Sequence, residues 1–405
     1  MRSLPNSPDT ARPASLRAAL AAALALSAPA ACTGAEGLPS DPVLLAIVES
    51  RGPGEAARRP PRSWIGLAAR GGGEVRLLTD DFWSAGPPSA SFDGRRFVFS
   101  GRRRRDDPPS IWEASIDGSS FRVVTAGHGS PEGPIYLPDG RILFSDVPEA
   151  VPGQSGGRFR ALFSCRADGS DLGRLTFGWH RDFGAELLAD GRVRFRRQLV
   201  GTAPAPPPLL LAIHPDGTGV TRWSGSAAPR PAPPPGGLRV EAVPGRVVRA
   251  IEAAARRAPP SLTSAVREDV STGTLLCLNA YESVLESVAR LRPDGVRMVR
   301  VRRAEPAPAG TPPSPGRVIL AEAPVHADGS FFLGVPADTP LQIELVGRAG
   351  ARVEPLLSGI WVRPNENRGC IGCHEAPESA PENRVPLALV PRESGGVRRG
   401  GQDAR

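Results

Sequence analysis

"LPDGRILFSD" spans residues 137–146 and joins a tight Asp-Gly turn to a run of mostly apolar, strand-like residues. The motif occurs twice more, in "SFDGRRFVFSG" and "LADGRVRFRR", and the turn aspartates of the three copies are Asp93, Asp139 and Asp190. Asp-Gly between β-rich segments is the strongest short-range sign of a β-hairpin, because both central residues of the turn must tolerate a positive φ. The stretch therefore predicts a hairpin that returns about every 50 residues.

A second series of turns interleaves with the first. It reads "SIDGSSFRVVT", "RADGSDLGRLT" and "HPDGTGVTRW", and its aspartates, Asp117, Asp168 and Asp216, keep the same period. Two hairpins per period give four strands, which make one blade of a β-propeller. We expect about four blades, the first of them degenerate, at residues 42–79, 80–125, 126–176 and 177–225.

The second part of the chain begins after a Pro-rich linker at residues 226–237. Residues 244–258, "PGRVVRAIEAAARRA", carry apolar residues at helical spacing and predict the one clear helix. From Leu275 onward the sequence returns to strand-like runs, which predict a small β-sandwich. We assign residues 238–395 to this second domain and 396–405 to a disordered tail.

The N-terminus is typical of an export signal at residues 1–31. Arginines precede the apolar run "AALAAALALSAPAAC", which is too short to span a membrane. Cleavage before Cys32 would expose a cysteine for lipidation and anchor the protein to a membrane, whereas "APA" is an ordinary cleavage site. We therefore expect an extracytoplasmic protein, in the periplasm or on the cell surface, and leave both forms of processing open.

Charge alone does not indicate nucleic-acid binding. The net charge is +8, and all 50 basic residues are arginines, because the sequence contains no lysine. These arginines are spread along the chain with few aromatic residues between them, which is not the clustered pattern of a nucleic-acid site. The sequence predicts no nucleic-acid partner and no membrane-spanning segment.

The chemistry of the chain is concentrated in "RGCIGCHEAP", where Cys370 and Cys373 stand two residues apart and His374 follows at once. Cys-x-x-Cys-His is the attachment sequence of c-type haem, in which two thioethers hold the porphyrin and the histidine ligates the iron. A zinc site needs about four ligands, and the sequence has no second cysteine pair. A redox disulfide of the thioredoxin type would start a helix, whereas Pro- and Asn-rich sequence surrounds this pair.

Taken together, the repeats, the strand-like runs and this motif predict an all-β fold class. We expect propeller-like repeats of about four blades, then a small β-sandwich with a haem c attachment loop.

The sixth ligand of such a haem is open on sequence. His326, in a turn of the same domain, is the first choice as the iron's second axial ligand, and a five-coordinate iron is the alternative. The other candidates in the chain after residue 31 are His128, His180, His214 and Met298. Cys165 and Cys277 lie in strand-like sequence and are expected to be small buried apolar residues, with a disulfide between them as the alternative.

Two family resemblances can be stated on these motifs. The blade turns resemble those of TolB-like propeller proteins, in "LPDGRILFS" and "ADGSDLGRLT". The stretch "DGSFFLGVPADTPLQ", followed by "WVRP" and the cysteine motif, resembles the middle domain of the hydrazine synthase alpha subunit family. That resemblance implies an extracytoplasmic c-type cytochrome with one haem on Cys370 and Cys373, ligated by His374. Since the family's alpha subunit looks like a two-haem protein and this sequence has one attachment motif, the resemblance does not imply hydrazine chemistry.

Three functions follow as hypotheses. The first is electron transfer or haem-based redox chemistry by an exported single-haem protein, with a redox partner protein or a small-molecule substrate. The second is a redox enzyme related to the hydrazine synthase alpha subunit. The third is a surface module whose propeller binds a partner, with a structural haem.

Overall fold

A computed structural model describes most of the chain from residue 38 onward. The described residues are 38–39, 41–50, 61–125, 129–148, 159–201, 204–225, 238–239, 245–282, 295–306, 314–347, 352–372 and 384–390. Within them the chain forms strands and one short 3-10 helix, Leu387–Leu389, so the protein is all-β as predicted. Residues 39–405 form one compact unit.

The first half consists of short strands, most of which pair antiparallel with their neighbours. They are β1 (Pro42–Glu49), β2 (Ser63–Ala69), β3 (Gly73–Glu74), β4 (Arg76–Leu77), β5 (Ser84–Ala85), β6 (Ser89–Ala90), β7 (Arg96–Arg102), β8 (Ser110–Ser115), β9 (Phe121–Val123), β10 (Glu132–Tyr136), β11 (Ile142–Asp146), β12 (Ala161–Cys165), β13 (Gly173–Arg174), β14 (Arg181–Leu187), β15 (Val193–Gln198), β16 (Leu209–Ile213) and β17 (Thr221–Arg222). The second half adds β18 (Leu238–Arg239), β19 (Gly245–Glu252), β20 (Thr272–Asn279), β21 (Val296–Glu305), β22 (Ser314–Pro324), β23 (Phe331–Pro336), β24 (Leu341–Gly347), β25 (Arg352–Ile360) and β26 (Asn367–Gly372).

The first half is built from four blades, as the repeats predict. Blade 2 pairs β6 to β9 in order, blade 3 pairs β10 to β13, and blade 4 pairs β14 to β17. Blade 1 has the order β19-β1-β2-β4. The strands of each blade fall within the boundaries predicted for it, except β19, which comes from beyond the linker. The first strands of successive blades, β19, β6, β10 and β14, contact one another in that order.

The Asp-Gly turns adopt one geometry in both series. Their six glycines have φ between 69° and 88°, which lies in the left-handed region. In each turn the aspartate Oδ1 accepts a hydrogen bond from the backbone N–H two residues on, at 2.9 to 3.0 Å. In one of them, hydrogen bonds from Ser115 and Ser119 lower the pKa of Asp117 from its ordinary 3.8 to about 2.

The helix predicted for residues 244–258 is wrong. Gly245–Glu252 forms β19, which pairs antiparallel with β1 from Val43↔Glu252 to Glu49↔Gly245. Strand β1 buries Val43 to Ile47 and uses both of its edges, one against β2 and one against β19. Helix propensity is worth a few tenths of a kcal/mol per residue, so a buried strand in need of a partner outweighs it.

The second half is a β-sandwich, as predicted. One sheet has the order β23-β20-β26 and the other β22-β21-β24-β25. Alternate residues of the facing strands form a single core, for example Leu275, Val299 and Leu345, each 2% exposed or less. The strands β25 and β26 were not predicted from the sequence, and β26 contains the first cysteine of the Cys-x-x-Cys-His motif.

The link between β25 and β26 fastens the sandwich to blade 4. Trp361 is fully buried in the apolar cluster that blades 3 and 4 share, and its Nε1–H donates to the Gly217 carbonyl of blade 4 at 3.2 Å. The next residue, Val362, is fully buried in the core of the sandwich. Arg363 then donates to the Asp216 carbonyl at 3.1 Å and to Asp338 Oδ1 at 2.7 Å. Consecutive residues thus anchor in two different cores, just ahead of the strand that leads into the Cys-x-x-Cys-His motif.

Candidate functional site

The first cysteine of the motif lies in a strand and not in the loop that the surrounding sequence indicates. Strand β26 runs parallel to the central strand β20, with Cys370 opposite Cys277 and Gly372 opposite Asn279. The two remaining motif residues, Cys373 and His374, lie outside the described residues. The structure therefore fixes the entry into the motif, from Asn367 to Gly372.

The two cysteines paired across β20 and β26 differ in their surroundings. Cys277 is 1% exposed and belongs to the sandwich core. Cys370 is half-buried and packs against the edge of that core. A cysteine that is to be alkylated by a vinyl group must be reached from outside, and of these two only Cys370 meets that condition.

The end of β26 is held against the turn that follows β20. Any side chain at Gly372 would collide with the carbonyl oxygen of Glu282, so the glycine allows close approach of the two backbones. The turn itself is fixed by Asn279, whose Oδ1 accepts the Tyr281 N–H at 3.0 Å. The attachment motif allows any residue at position 372, but the close packing against Glu282 requires a glycine there.

The chain after the motif returns to a second turn, "HADGS" at residues 326–330. The side chain of Arg384 donates to the Asp328 carbonyl at 3.1 Å, and the Leu387 N–H donates to Asp328 Oδ2 at 2.9 Å. The Ala388 N–H donates to Ser330 Oγ at 2.9 Å. Burial by itself raises the pKa of Asp328, but the hydrogen bonds from Leu387 and Ser330 outweigh it, and the pKa lies below its usual value. The carboxylate form is therefore the one that holds the returning chain.

The two turns contact each other. The Ala280 N–H donates to the Gly329 carbonyl at 2.8 Å. Gly329 itself, at φ +81°, lies so close to the Asn279 side chain and the Tyr281 ring that a Cβ would not fit. The described residues on either side of 373–383 are thus held by one pair of touching turns.

His326 begins the second of these turns. Its N–H donates to the Ser330 carbonyl and its carbonyl accepts the Gly329 N–H, both at 2.9 Å, and the residue is half-buried. The first-choice candidate for the sixth ligand therefore shares a turn with the residues that hold the chain beyond the motif.

The other candidate ligands lie in different surroundings. His180 is 3% exposed and packs against Gly359 at the junction of blade 4 with the sandwich. His214 lies in the blade 4 turn, with its Nδ1 at 3.3 Å from Thr218 Oγ1. Met298 is half-buried on β21, in the other sheet from β26. His128 lies outside the described residues.

The remaining sequence predictions concern Cys165, metal binding, membrane spans and the chain termini. Cys165 is buried in blade 3 without a disulfide, and burial raises the pKa of its thiol to about 11, so it is unreactive. Among the described residues no group of three or more His, Cys, Asp or Glu could hold a metal ion. The same part of the chain contains no helix with the length and apolar character needed to cross a membrane. The signal at 1–31, Cys32, the linker at 226–237 and the tail at 396–405 lie outside the described residues.

Sequence reasoning missed the residues that frame the motif. Asn279 and Tyr281 carry no local signal, since their role depends on β20 and β26 being neighbours. Asp328 belongs to an Asp-Gly turn like those of the blades, and its Oδ1 accepts the Ser330 N–H at 3.0 Å. That signal predicts a turn, but it cannot predict that Oδ2 of the same carboxylate holds Leu387.

The sequence of this chain is similar to one described family and to two known proteins. Residues 246–375 match the family described as "Hydrazine synthase alpha subunit middle domain". Hydrazine synthase subunit alpha of Kuenenia stuttgartiensis is 39% identical over 80 residues, which are 18% of this chain and 10% of that protein. An uncharacterized protein of Agrobacterium fabrum, Atu1656, is 28% identical over 155 residues, 38% of this chain and 46% of that protein. The matched stretches thus span about a tenth and about half of these curated relatives.

A solved structure is similar over most of the chain. Hydrazine synthase of Kuenenia stuttgartiensis superposes with a TM-score of 0.71 at 15% identity, covering 87% of this chain and 71% of that one. At this identity the similarity shows a shared fold. The two chains therefore have the same fold over the part that superposes.

Proposed function

We propose that the protein is an exported c-type cytochrome that carries one haem on Cys370 and Cys373, with His374 as an iron ligand. The observation that carries the proposal is the frame around the motif. A half-buried cysteine lies on a strand, the strand ends at a glycine seated on one turn, and the returning chain is bonded to a second turn that touches the first. A rigid frame of this kind suits a segment that must hold a large prosthetic group in one position.

The donor set fits haem c better than the alternatives considered. The two cysteines and the adjacent histidine have the attachment spacing, and Cys277, the thiol nearest in register, is buried in the core. Export through residues 1–31 supports the same reading, because covalent attachment of haem c takes place outside the cytoplasm. Lipidation at Cys32 would keep the protein at a membrane surface.

The bound haem would supply one-electron redox chemistry at its iron. The residues of this chain would position it: β26 holds Cys370 next to β20, and Asp328 holds the chain beyond the motif. We propose His326 as the second axial ligand, supported by its place in the Asp328 turn. An iron held by both His374 and His326 would favour electron transfer with a partner protein.

A redox enzyme related to the hydrazine synthase alpha subunit is the second candidate. It is favoured by the match of residues 246–375 to that middle domain and by the shared fold. In this case one face of the iron would be open to a small-molecule substrate, and His326 would not be a ligand. A surface module with a structural haem is the third hypothesis, and the cavity of the propeller described below bears on it.

The test is a pyridine haemochrome assay, with visible spectra of both redox states, on full-length protein matured with a cytochrome c assembly system. We expect one haem per chain, loss of covalent haem in Cys373→Ala, and retention in the matched control Cys165→Ala. Replacement of His326 by Ala should convert a six-coordinate low-spin spectrum into a high-spin one at unchanged haem content. No covalent haem in the wild type would contradict the proposal, and a high-spin wild type unchanged by H326A would favour the enzyme.

A further inference from the structure

An open cavity lies where the first strands of the four blades meet. Its volume is about 560 Å³, and its lining includes Ala90 of β6, Tyr136 of β10, Leu187 of β14 and Ile251 of β19. Every blade therefore contributes to it. Small-molecule sites in proteins fall between about 300 and 1,000 Å³.

The charge of this lining is strongly positive. Four arginines line the cavity, namely Arg196, Arg249, Arg256 and Arg257, together with one acidic residue, Glu186. The carboxylate of Glu186 is already bound by Arg194, which is 4% exposed and does not line the cavity. The positive charge of the four lining arginines is therefore not balanced within the cavity.

Three of these arginines have no hydrogen-bond or ion-pair partner in the described part of the chain: Arg196, Arg249 and Arg257. The neighbouring arginine on β15, Arg197, is by contrast paired: it donates two hydrogen bonds of 2.7 and 2.8 Å to Asp182. All three are solvent-exposed and line the same cavity, so an anion bound there would face several guanidinium groups that no carboxylate of the described residues pairs with.

The local structure keeps these groups in place. Arg256 donates to the carbonyls of Ser91 and Ala90 at 2.9 and 2.8 Å, which fixes its position without pairing it to a carboxylate by a hydrogen bond. Arg196 lies across Gly184, a residue at φ +62° whose missing side chain leaves room for the guanidinium. Beside the charges the lining offers apolar surface, including Phe92, Ile135 and Ile251.

We propose that this cavity binds a small organic or inorganic oxyanion with at least two negative charges, carried by phosphate or carboxylate groups. Guanidinium forks match the oxygens of both groups and bind them through paired hydrogen bonds. The cavity is remote in sequence from the cysteine motif, and the inference does not rest on the haem. It gives the propeller a ligand of its own.

The test is isothermal titration calorimetry of the full-length protein at low salt, with pyrophosphate and citrate as separate probes. We expect at least one of them to bind with a Kd below about 1 mM, and the tighter probe identifies the phosphate or carboxylate class. Arg196→Gln and Arg249→Gln should each weaken binding about tenfold, which corresponds to about 1.4 kcal/mol. Added salt should weaken binding further, since the interaction is electrostatic.

The matched control is Arg246→Gln, an exposed arginine of the same strand as Arg249 that does not line the cavity. It should leave the affinity unchanged, and the circular dichroism of all three variants should equal that of the wild type. Absence of binding by both probes, or an equal loss of affinity in the control and in R249Q, would overturn the proposal.

Discussion

Replacing Trp361 by alanine tests whether the two halves of the protein are held together as one unit. The side chain is fully buried in the cluster that blades 3 and 4 share, lies with its ring centroid 5.1 Å from the Arg197 guanidinium carbon, and donates to the Gly217 carbonyl. Truncation of a fully buried tryptophan leaves a large cavity and costs about 3–5 kcal/mol. Since a folded protein is stable by about 5–15 kcal/mol, this is a large part of the total.

The measurement is urea unfolding followed by far-ultraviolet circular dichroism. Because Trp361 and Val362 anchor in different cores, we expect wild type and variant to unfold in one shared transition, shifted to lower urea by the substitution. The control is Trp223→Ala, a half-buried tryptophan of the same blade outside the junction, which should cost about 1 kcal/mol or less. If W361A costs no more than this control, the junction does not hold the two halves together.

Three further predictions concern the blades. Gly169 and Gly140 both lie at φ +85°, but a Cβ at Gly169 would collide with the Val124 carbonyl of the preceding blade, whereas no atom lies within 4 Å of a Cβ at Gly140. G169A should therefore lower the urea midpoint much more than G140A, and equal effects would contradict this. Asp182→Asn removes the carboxylate from a buried arginine and should cost about 3–5 kcal/mol in urea unfolding, whereas the exposed pair broken by Asp269→Asn should cost below about 1 kcal/mol. The serine hydrogen bonds of Asp117 lower its folded pKa to about 2, so the stability that they add is complete above pH 3.8 and is lost as the pH falls towards 2. The melting temperature of D117N should therefore depend less on pH between pH 2 and 5 than that of the wild type. An identical pH dependence would be evidence against this linkage.

The blades could be predicted because their turns are encoded locally. An Asp-Gly pair specifies both a positive φ and a side-chain hydrogen bond, so six copies at one period define the hairpins without knowledge of the rest of the fold. The strands β19 and β26 could not be predicted in this way. Residues 245–252 have helical spacing, and the sequence before Cys370 is rich in Asn and Arg, so each becomes a strand only because a neighbour, β1 or β20, offers an edge.

The motif of the candidate site could be predicted from the sequence, whereas the residues around it could not. The motif residues Cys370, Cys373 and His374 are adjacent in sequence, and their spacing carries its own chemistry. The frame around them is assembled from residues far apart in sequence, such as Asn279 and Asp328. No local pattern predicts a contact between two turns that lie far apart in the sequence.

The most direct test of the account is mass spectrometry of the peptide that contains Cys370 and Cys373, taken from the full-length protein matured in a periplasm with a cytochrome c assembly system. We expect this peptide to carry the mass of one haem, bound through two thioethers, while the peptide with Cys277 is unmodified. A peptide with both thiols free, or with the two sulfur atoms joined to each other, would contradict it.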